Sequence, residues 1–239
     1  MTINPMPSNP MPSNTARKMT SNQRYYLGAA AVILATLAGT IVAYPHLPDI
    51  VPIHWDIQGH VNGWGPKWSL FLYGPGLMAF IVLMFSALPW LSPKKFGVDS
   101  FRATYLYIMI VIVAMMAYCH TLVLLSGLGS LSGTGFDMSR AVEGGACLLI
   151  ALLGNVLGKV RRNFFVGIRT PWTIANERVW NATHRFAAKT LFAGGLAGLA
   201  AVMLHALFWA PMAAIIAGAL APAVYSLVFY KRLERRGEL

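Results

Sequence analysis

The chain has 239 residues, of which 56% are hydrophobic and only 11% are charged, and its formal net charge at pH 7 is +11. Soluble globular domains carry about 25% charged residues, so the composition excludes an ordinary soluble domain and predicts a surface that faces lipid. A charge of +11 would also suit nucleic acid, but the basic residues gather at the ends of apolar segments, which argues against direct nucleic acid binding.

The N-terminal tail, residues 1–22, contains the near-perfect repeat NPMPSNPMPSN. A segment made of proline, serine and asparagine cannot bury enough apolar surface to form a core. We therefore expect a disordered tail, 1–22, ahead of the first apolar segment.

Six apolar segments follow, and each is long enough to cross ~30 Å of hydrocarbon as a helix. The predicted fold is an all-α integral membrane protein with six transmembrane helices. The predicted spans are 25–44, 69–91, 103–126, 141–160, 189–209 and 211–230.

The lysines and arginines sort by side once six spans are assigned. Seventeen of the nineteen fall on one side, and only Lys67 and Arg140 fall on the other. Positive charge near the ends of spans marks the cytoplasmic side, so both termini are predicted to be cytoplasmic, with membrane lipid as a partner.

The first connection, the outer loop 45–68, carries the string HWDIQGH, which places His54, Asp56 and His60 within seven residues around Trp55. Prolines at 45, 48 and 52 deny this loop a helix. Histidine and aspartate both bind zinc, and zinc sites often use ligands close together in sequence. The string indicates zinc or another divalent transition metal, a proton-linked site, or a loop held by hydrogen bonds.

Other ionisable side chains join this loop at the outer end of the spans. Ionisable groups in spans are costly and usually face the bundle interior. We expect an outward-opening polar pocket with the first loop as its lid, formed by His54, Trp55, Asp56, His60, His120, Glu143 and His205.

The fourth connection, 161–188, is the longest inner segment. Thr170 can cap a helix that begins at Pro171, and apolar residues recur at helical spacing after it. The pattern predicts an amphipathic inner helix, 171–188, leading into a span in which Gly194, Gly195 and Gly198 allow close helix packing. The predicted inner-face partner surface comprises Asn163, Arg169, Thr170, Pro171, Trp172, Thr173, Glu177, Trp180, His184 and Arg185.

Two stretches together resemble the SdpI family of bacterial membrane proteins. LPDIVPIHWDIQGHVNGWGPKW is similar to the small domain of unknown function that often precedes the SdpI domain. GNVLGKVRRNFFVGIRTPWTIANERVWNATHRFAAK is similar to the SdpI signature, above all in Gly167 to Thr173. The tail repeat departs from the family pattern.

The resemblance implies a toxin-immunity protein of the bacterial cytoplasmic (inner) membrane. Such a protein would protect the cell from a secreted antimicrobial peptide, bind that toxin on the outer side and tether a cytoplasmic repressor. It also implies an N-terminal membrane unit, 23–102, with the outer-loop motif and an SdpI-like membrane domain, 103–239.

The residues themselves are also compatible with two other functions. One is a metal-dependent membrane protein or enzyme that uses His54, Asp56 and His60. The other is a small transporter of a peptide or amphiphile. HExxH, GxSxG and phosphate-binding loops do not occur in the sequence, so an enzyme is the less favoured class. No certain cofactor follows from the sequence. The sequence is compatible with an oligomer as well as with a monomer.

Overall fold

The computed structural model describes residues 21–239, so nearly all of the tail predicted as 1–22 lies outside the described residues. Six helices within it are long and apolar enough to cross a membrane, as predicted. They span Asn22–His46, Ser69–Leu91, Asp99–Gly127, Met138–Leu157, Glu177–Met203 and Ala210–Arg235.

The regular elements, in chain order, define the labels used from here on. They are α1 (Ser21–Ala43), β1 (Ile50–Trp55), β2 (Val61–Pro66), α2 (Ser69–Phe71), α3 (Leu77–Leu91), α4 (Arg102–Gly127), α5 (Met138–Leu157), α6 (Pro171–Ala175), α7 (Glu177–Met203) and α8 (Ala210–Arg235). A π-helical turn, Leu72–Gly76, joins α2 to α3, and it contains Pro75, whose missing N–H a regular helix would not tolerate there.

The helices alternate in direction, which gives the bundle two ends. The hairpin side carries β1, β2 and the connections 128–137 and 204–209. The terminal side carries residue 21, the connections 92–98 and 158–170, and the C-terminus. An ion pair of 2.8 Å between Arg178 and Glu238 ties the start of α7 to the C-terminus on the terminal side.

The fold is mostly helical, as predicted, but the outer loop predicted over 45–68 contains two strands, since β1 and β2 form an antiparallel hairpin. Val51 pairs with Gly65, and the register is irregular around His54. The turn is held by Asp56, whose Oδ1 accepts hydrogen bonds from the backbone N–H groups of Gln58 (2.9 Å) and His60 (2.8 Å). The three prolines exclude a helix, and pairing with a second strand satisfies the extended backbone.

The C-terminal half is packed through glycines, as predicted. A β-carbon on Gly195 would lie 2.6 Å from the backbone nitrogen of Ala151 in α5, and one on Gly194 would lie 2.7 Å from the carbonyl oxygen of Ala214 in α8. These distances are too short for any side chain, so α5, α7 and α8 approach each other closely because glycine stands at their contact points.

A proline inside α8 is compensated by α7. Pro222 lacks the N–H that would bond the carbonyl of Gly218 four residues earlier. The hydroxyl of Thr190 in α7 donates to that carbonyl at 2.8 Å. The helix can therefore contain proline without leaving a carbonyl unsatisfied in the membrane.

The predicted amphipathic helix 171–188 is interrupted. Helix α6 ends at Ala175, and Asn176 adopts an extended conformation (φ −131°, ψ 124°). Its side-chain oxygen accepts from the N–H groups of Arg178 and Val179, so Asn176 caps a new helix, α7, which continues through the fifth span. The break arises because an asparagine cap competes with helix continuation.

Candidate functional site

The turn of the hairpin lies against the beginning of α5. The hydroxyl of Ser139 donates to the carbonyl of Asp56 at 2.9 Å, although the two residues are 83 positions apart. Beside this contact lies an open cavity of about 330 Å³, the hairpin cavity, lined by Ile53, His54, Trp55, Asp56, Ile57, Met138, Ser139, Val142 and Glu143.

A second cavity, of about 390 Å³, adjoins the first on the hairpin side. The two share Ile57, Ser139 and Glu143 as lining residues. Its remaining lining residues are Gln58, Asp137, Arg140 and Phe208, so the loop between α7 and α8 contributes to it.

The structure brings together four of the seven residues predicted for the outer pocket: His54, Trp55, Asp56 and Glu143. His60 stands at the turn beside Asp56, with 3.6 Å between His60 Nδ1 and Asp56 Oδ2. His205 is exposed in the connection after α7 and has a positive φ of 52°.

His120 lies elsewhere, buried inside the bundle. Its Nε2 shares a hydrogen bond of 2.8 Å with the hydroxyl of Thr40 in α1. Its ring also lies where a side chain on Gly74 would stand. His120 therefore joins α1, α4 and the π-helical turn, and it does not line either cavity.

The cavities carry negative charge. On the hairpin side Asp49 pairs with Lys67 (3.1 Å) and Asp137 pairs with Arg140 (3.2 Å). Within residues 21–239, Asp56 and Glu143 form no ion pair with a lysine or arginine. Asp56 instead faces His60, and Arg140 acts on Glu143 only at longer range. Two carboxylates without a direct lysine or arginine partner thus lie beside apolar walls, a combination that favours a cationic, partly apolar ligand.

The predicted metal ligands do not converge. His54 Nδ1 is hydrogen-bonded to Asn62 Oδ1 across the hairpin, and His60 turns towards Asp56. In the described part of the chain, no three histidine, cysteine, aspartate or glutamate side chains are grouped as a metal site would require. The zinc interpretation gains no support from this geometry and stays a prediction.

The terminal side holds the second candidate region, the connection 158–170 with α6. Asn163 is fully buried and organises its first half. Its Nδ2 donates to the carbonyls of Arg161 (2.7 Å) and Val166 (3.0 Å), and its Oδ1 accepts from the N–H groups of Phe165 and Val166. One amide side chain thereby replaces the hydrogen bonds that this irregular backbone lacks.

His184 holds the second half of the same connection. Its Nδ1–H donates to the carbonyl of Trp180 (2.9 Å), and its Nε2 accepts from the N–H of Ile168 (3.0 Å). The imidazole stacks on the Trp180 indole with ring centroids 4.0 Å apart. Because one ring nitrogen donates and the other accepts, the geometry assigns a neutral imidazole with its proton on Nδ1.

The Thr-Pro-Trp-Thr sequence anchors this connection to α8. Thr170 and Thr173 form a reciprocal capping box at the start of α6. The indole N–H of Trp172 donates to the hydroxyl of Ser226, which in turn donates to the carbonyl of Ala223 at 2.6 Å. Sequence reasoning missed Ser226, because nothing local indicates that its partner lies 54 residues earlier.

The predicted inner-face residues divide into two groups. Asn163, Thr173, Trp180 and His184 are fully buried, so they shape the connection and are not available to a partner at its surface. The exposed members of the predicted set are Arg169, Pro171, Glu177 and Arg185, with Thr170 and Trp172 partly buried.

Comparison with known proteins agrees with the sequence resemblance. The sequence model of the SdpI/YfhL protein family matches residues 159–229, and that of a domain of unknown function (DUF1648) matches residues 31–89. The immunity protein SdpI of Bacillus subtilis (strain 168) is 25% identical over 164 residues, covering 69% of this chain and 74% of the relative. No solved structure matches. The resemblance to the SdpI family, with the domain of unknown function on its N-terminal side, is confirmed.

Proposed function

We propose that this multi-pass membrane protein is a toxin-immunity protein that protects its cell from a secreted antimicrobial peptide. The observation that carries the proposal is the similarity to an immunity protein over 164 residues, which is 69% of this chain. In this proposal the two cavities on the hairpin side receive the peptide.

The proposed orientation places the hairpin side outside the cytoplasmic membrane. The support is the charge distribution, since only Lys67 and Arg140 of the seventeen lysines and arginines in residues 21–239 lie on the hairpin side and basic residues favour the cytoplasmic side. Reporter fusions after Gly133 and after Gly237 test it. Alkaline phosphatase should be active only in the first and a cytoplasmic fluorescent protein only in the second, and the reverse pattern would refute the orientation.

The chemistry of the cavities favours a cationic peptide. Asp56 and Glu143 supply two carboxylates that form no ion pair with a lysine or arginine among residues 21–239, and Ile53, Trp55 and Val142 supply apolar wall. A basic group of the peptide would lie near the carboxylates, and its apolar side chains would lie against the wall.

The test is survival of a susceptible bacterial host exposed to culture fluid of the source strain, with protease-treated fluid as the blank. Expression of the protein should raise survival. The double variant Asp56→Asn with Glu143→Gln should lose most of this effect, while the asparagine oxygen can still accept the turn hydrogen bonds. Asp49→Asn is the matched control, because Asp49 is exposed, pairs with Lys67 and lines neither cavity. Survival that is unchanged by expression would contradict the proposal.

A second part of the proposal concerns signalling through a cytoplasmic repressor held at the terminal side. Its support is that Arg169, Glu177, Arg178 and Arg185 are exposed there, around a connection fixed by buried hydrogen bonds. A photo-crosslinking amino acid at Arg185 in the native host should capture a DNA-binding protein. The same probe at Tyr73, exposed near the hairpin end of α2, is the control and should not.

A further inference from the structure

An apolar crevice opens on the flank of the bundle, between α4 and α7, with α5 as its floor. Its volume is about 430 Å³. Its walls are almost entirely hydrocarbon and include Val111, Met115, Tyr118, Leu148, Leu152 and Leu199. The crevice lies along the spans and away from the two hairpin-side cavities, with Arg140 as the only residue that it shares with either of them.

The length of the crevice along the membrane normal distinguishes between a transmembrane helix and a lipid acyl chain as its occupant. Along α5 it runs from Ala141 to Leu152, which is about 16 Å at 1.5 Å per residue. A bilayer core is ~30 Å thick, so the crevice extends through one leaflet and ends near the middle of the membrane. A spanning helix needs the full thickness, whereas one lipid acyl chain needs only a leaflet.

The crevice carries polar groups at its end nearer the hairpin side. Arg140 stands in the first turn of α5, and its side chain is 26% exposed. The phenol of Tyr118 donates to the carbonyl of Ala141 at 2.9 Å. Arginine and tyrosine are the residues that favour the membrane interface, where an apolar body meets a polar surface.

The guanidinium of Arg140 retains capacity for a further acceptor. Its Nε lies 3.2 Å from Asp137 Oδ2, and its Nη1 and Nη2 make only long contacts with the carbonyls of Val202 (3.5 Å) and Ala206 (3.4 Å). A guanidinium has five N–H groups and suits phosphate geometry, so these contacts leave donors for a phosphate oxygen.

We propose that this crevice binds a glycerophospholipid of the leaflet on the hairpin side, with one acyl chain between α4 and α7 and its phosphate at Arg140. The lipid would fill the space between α4, which follows the N-terminal unit, and the glycine-packed α5, α7 and α8. The binding site is independent of the toxin-immunity function and stands or falls separately from it.

The test uses the full chain, reconstituted in nanodiscs of phosphatidylglycerol and phosphatidylcholine and analysed by native mass spectrometry. Wild-type protein should retain one phospholipid after release from the disc. Ala114→Trp fills the crevice from α4, where Ala114 is exposed, and should reduce that occupancy about tenfold. Ala219→Trp, on an exposed face of α8 outside the crevice, is the matched control and should retain the lipid.

A second measurement locates the lipid by crosslinking and begins with the wild-type protein. Phosphatidylglycerol with a photoactivatable group in its acyl chain should crosslink within residues 111–118 and 141–152 of the wild-type protein. Arg140→Gln should weaken retention of phospholipid but leave crosslinking by a photoactivatable diacylglycerol, which has no anionic group, unchanged. Equal retention by the Ala114→Trp and wild-type proteins, crosslinks scattered over all spans, or a lipid-free dimer would each overturn the proposal.

Discussion

Gly167 and His184 lie in direct contact, because the position where Gly167 would carry a side chain is occupied by Nε2 of His184. Gly167 also has φ +116°, a backbone conformation that only glycine adopts easily. The positive φ and the close approach of the His184 ring therefore both require glycine at this position. Both also allow the hydrogen bond from Ile168 N–H to His184.

We expect Gly167→Ala to destabilise the protein more than any alanine substitution at a merely strained glycine. The backbone strain costs about 1–3 kcal/mol, and displacing His184 leaves the Ile168 N–H unsatisfied at a further cost of about 1–3 kcal/mol. Gly133→Ala is the control, since Gly133 has φ +72° and no atom near its absent side chain. Unfolding in mixed micelles measures both, and equal losses would show that the His184 contact contributes nothing.

The Thr190 hydroxyl and Pro222 should be energetically coupled. Thr190→Val alone removes the donor to the Gly218 carbonyl, and such bonds contribute about 0.6 kcal/mol, with a maximum of about 1.7 kcal/mol. Pro222→Ala restores an N–H four residues after Gly218, so Thr190→Val should cost less in that background. A double-mutant cycle on the free energy of unfolding measures the coupling, and a value of zero would refute this account of the proline.

The Ser139 hydroxyl should control the mobility of the hairpin turn. Ser139→Ala removes the only described side-chain hydrogen bond from α5 to the Asp56 carbonyl, so backbone amides of residues 57–60 should exchange with solvent faster. Hydrogen exchange in nanodiscs measures this. Ser130→Ala, in the exposed connection after α4, should leave the same amides unchanged, and similar rates in both variants would contradict the role of Ser139.

Chelation should leave the stability of the protein unchanged. His54 bonds Asn62 and His60 faces Asp56, so the three candidate ligands do not share a common point. We expect no stoichiometric zinc by elemental analysis and the same unfolding temperature with and without EDTA. A fall in unfolding temperature on chelation, reversed by zinc and absent in His54→Ala, would contradict this expectation and support the metal interpretation.

The spans and the glycine contacts were predictable because hydropathy and small residues can be read from short stretches of sequence. Residues 69–91 read as apolar, and the structure has a span with the same bounds. The hairpin was not predictable in the same way, because β1 lacks a clean alternation of apolar and polar residues and its pairing partner follows only after Asp56 and Gly59 complete a turn.

In the candidate sites, too, local features were predictable from the sequence and long-range contacts were not. His120 was predicted near the outer end of a span, which hydropathy supports, but its partner Thr40 is 80 residues away and only the packed bundle reveals it. Asn176 interrupts an apolar pattern that continues on both sides, so periodicity alone concealed the break between α6 and α7. Sequence positions thus indicated depth in the membrane, but they did not indicate which side chains meet.

The most recognisable string of this chain, Gly-Ile-Arg-Thr-Pro-Trp-Thr, begins at a glycine placed against His184 and ends at the buried Thr173. Its residues determine the conformation of the connection and attach it to α8 through Ser226. A chain could keep every one of these letters while exchanging the carboxylates of the hairpin cavity and so changing its ligand. Finding this string in another protein therefore indicates a shared loop shape, whereas the proposed function assigns the choice of ligand to Asp56, Glu143 and their neighbours on the opposite end of the bundle.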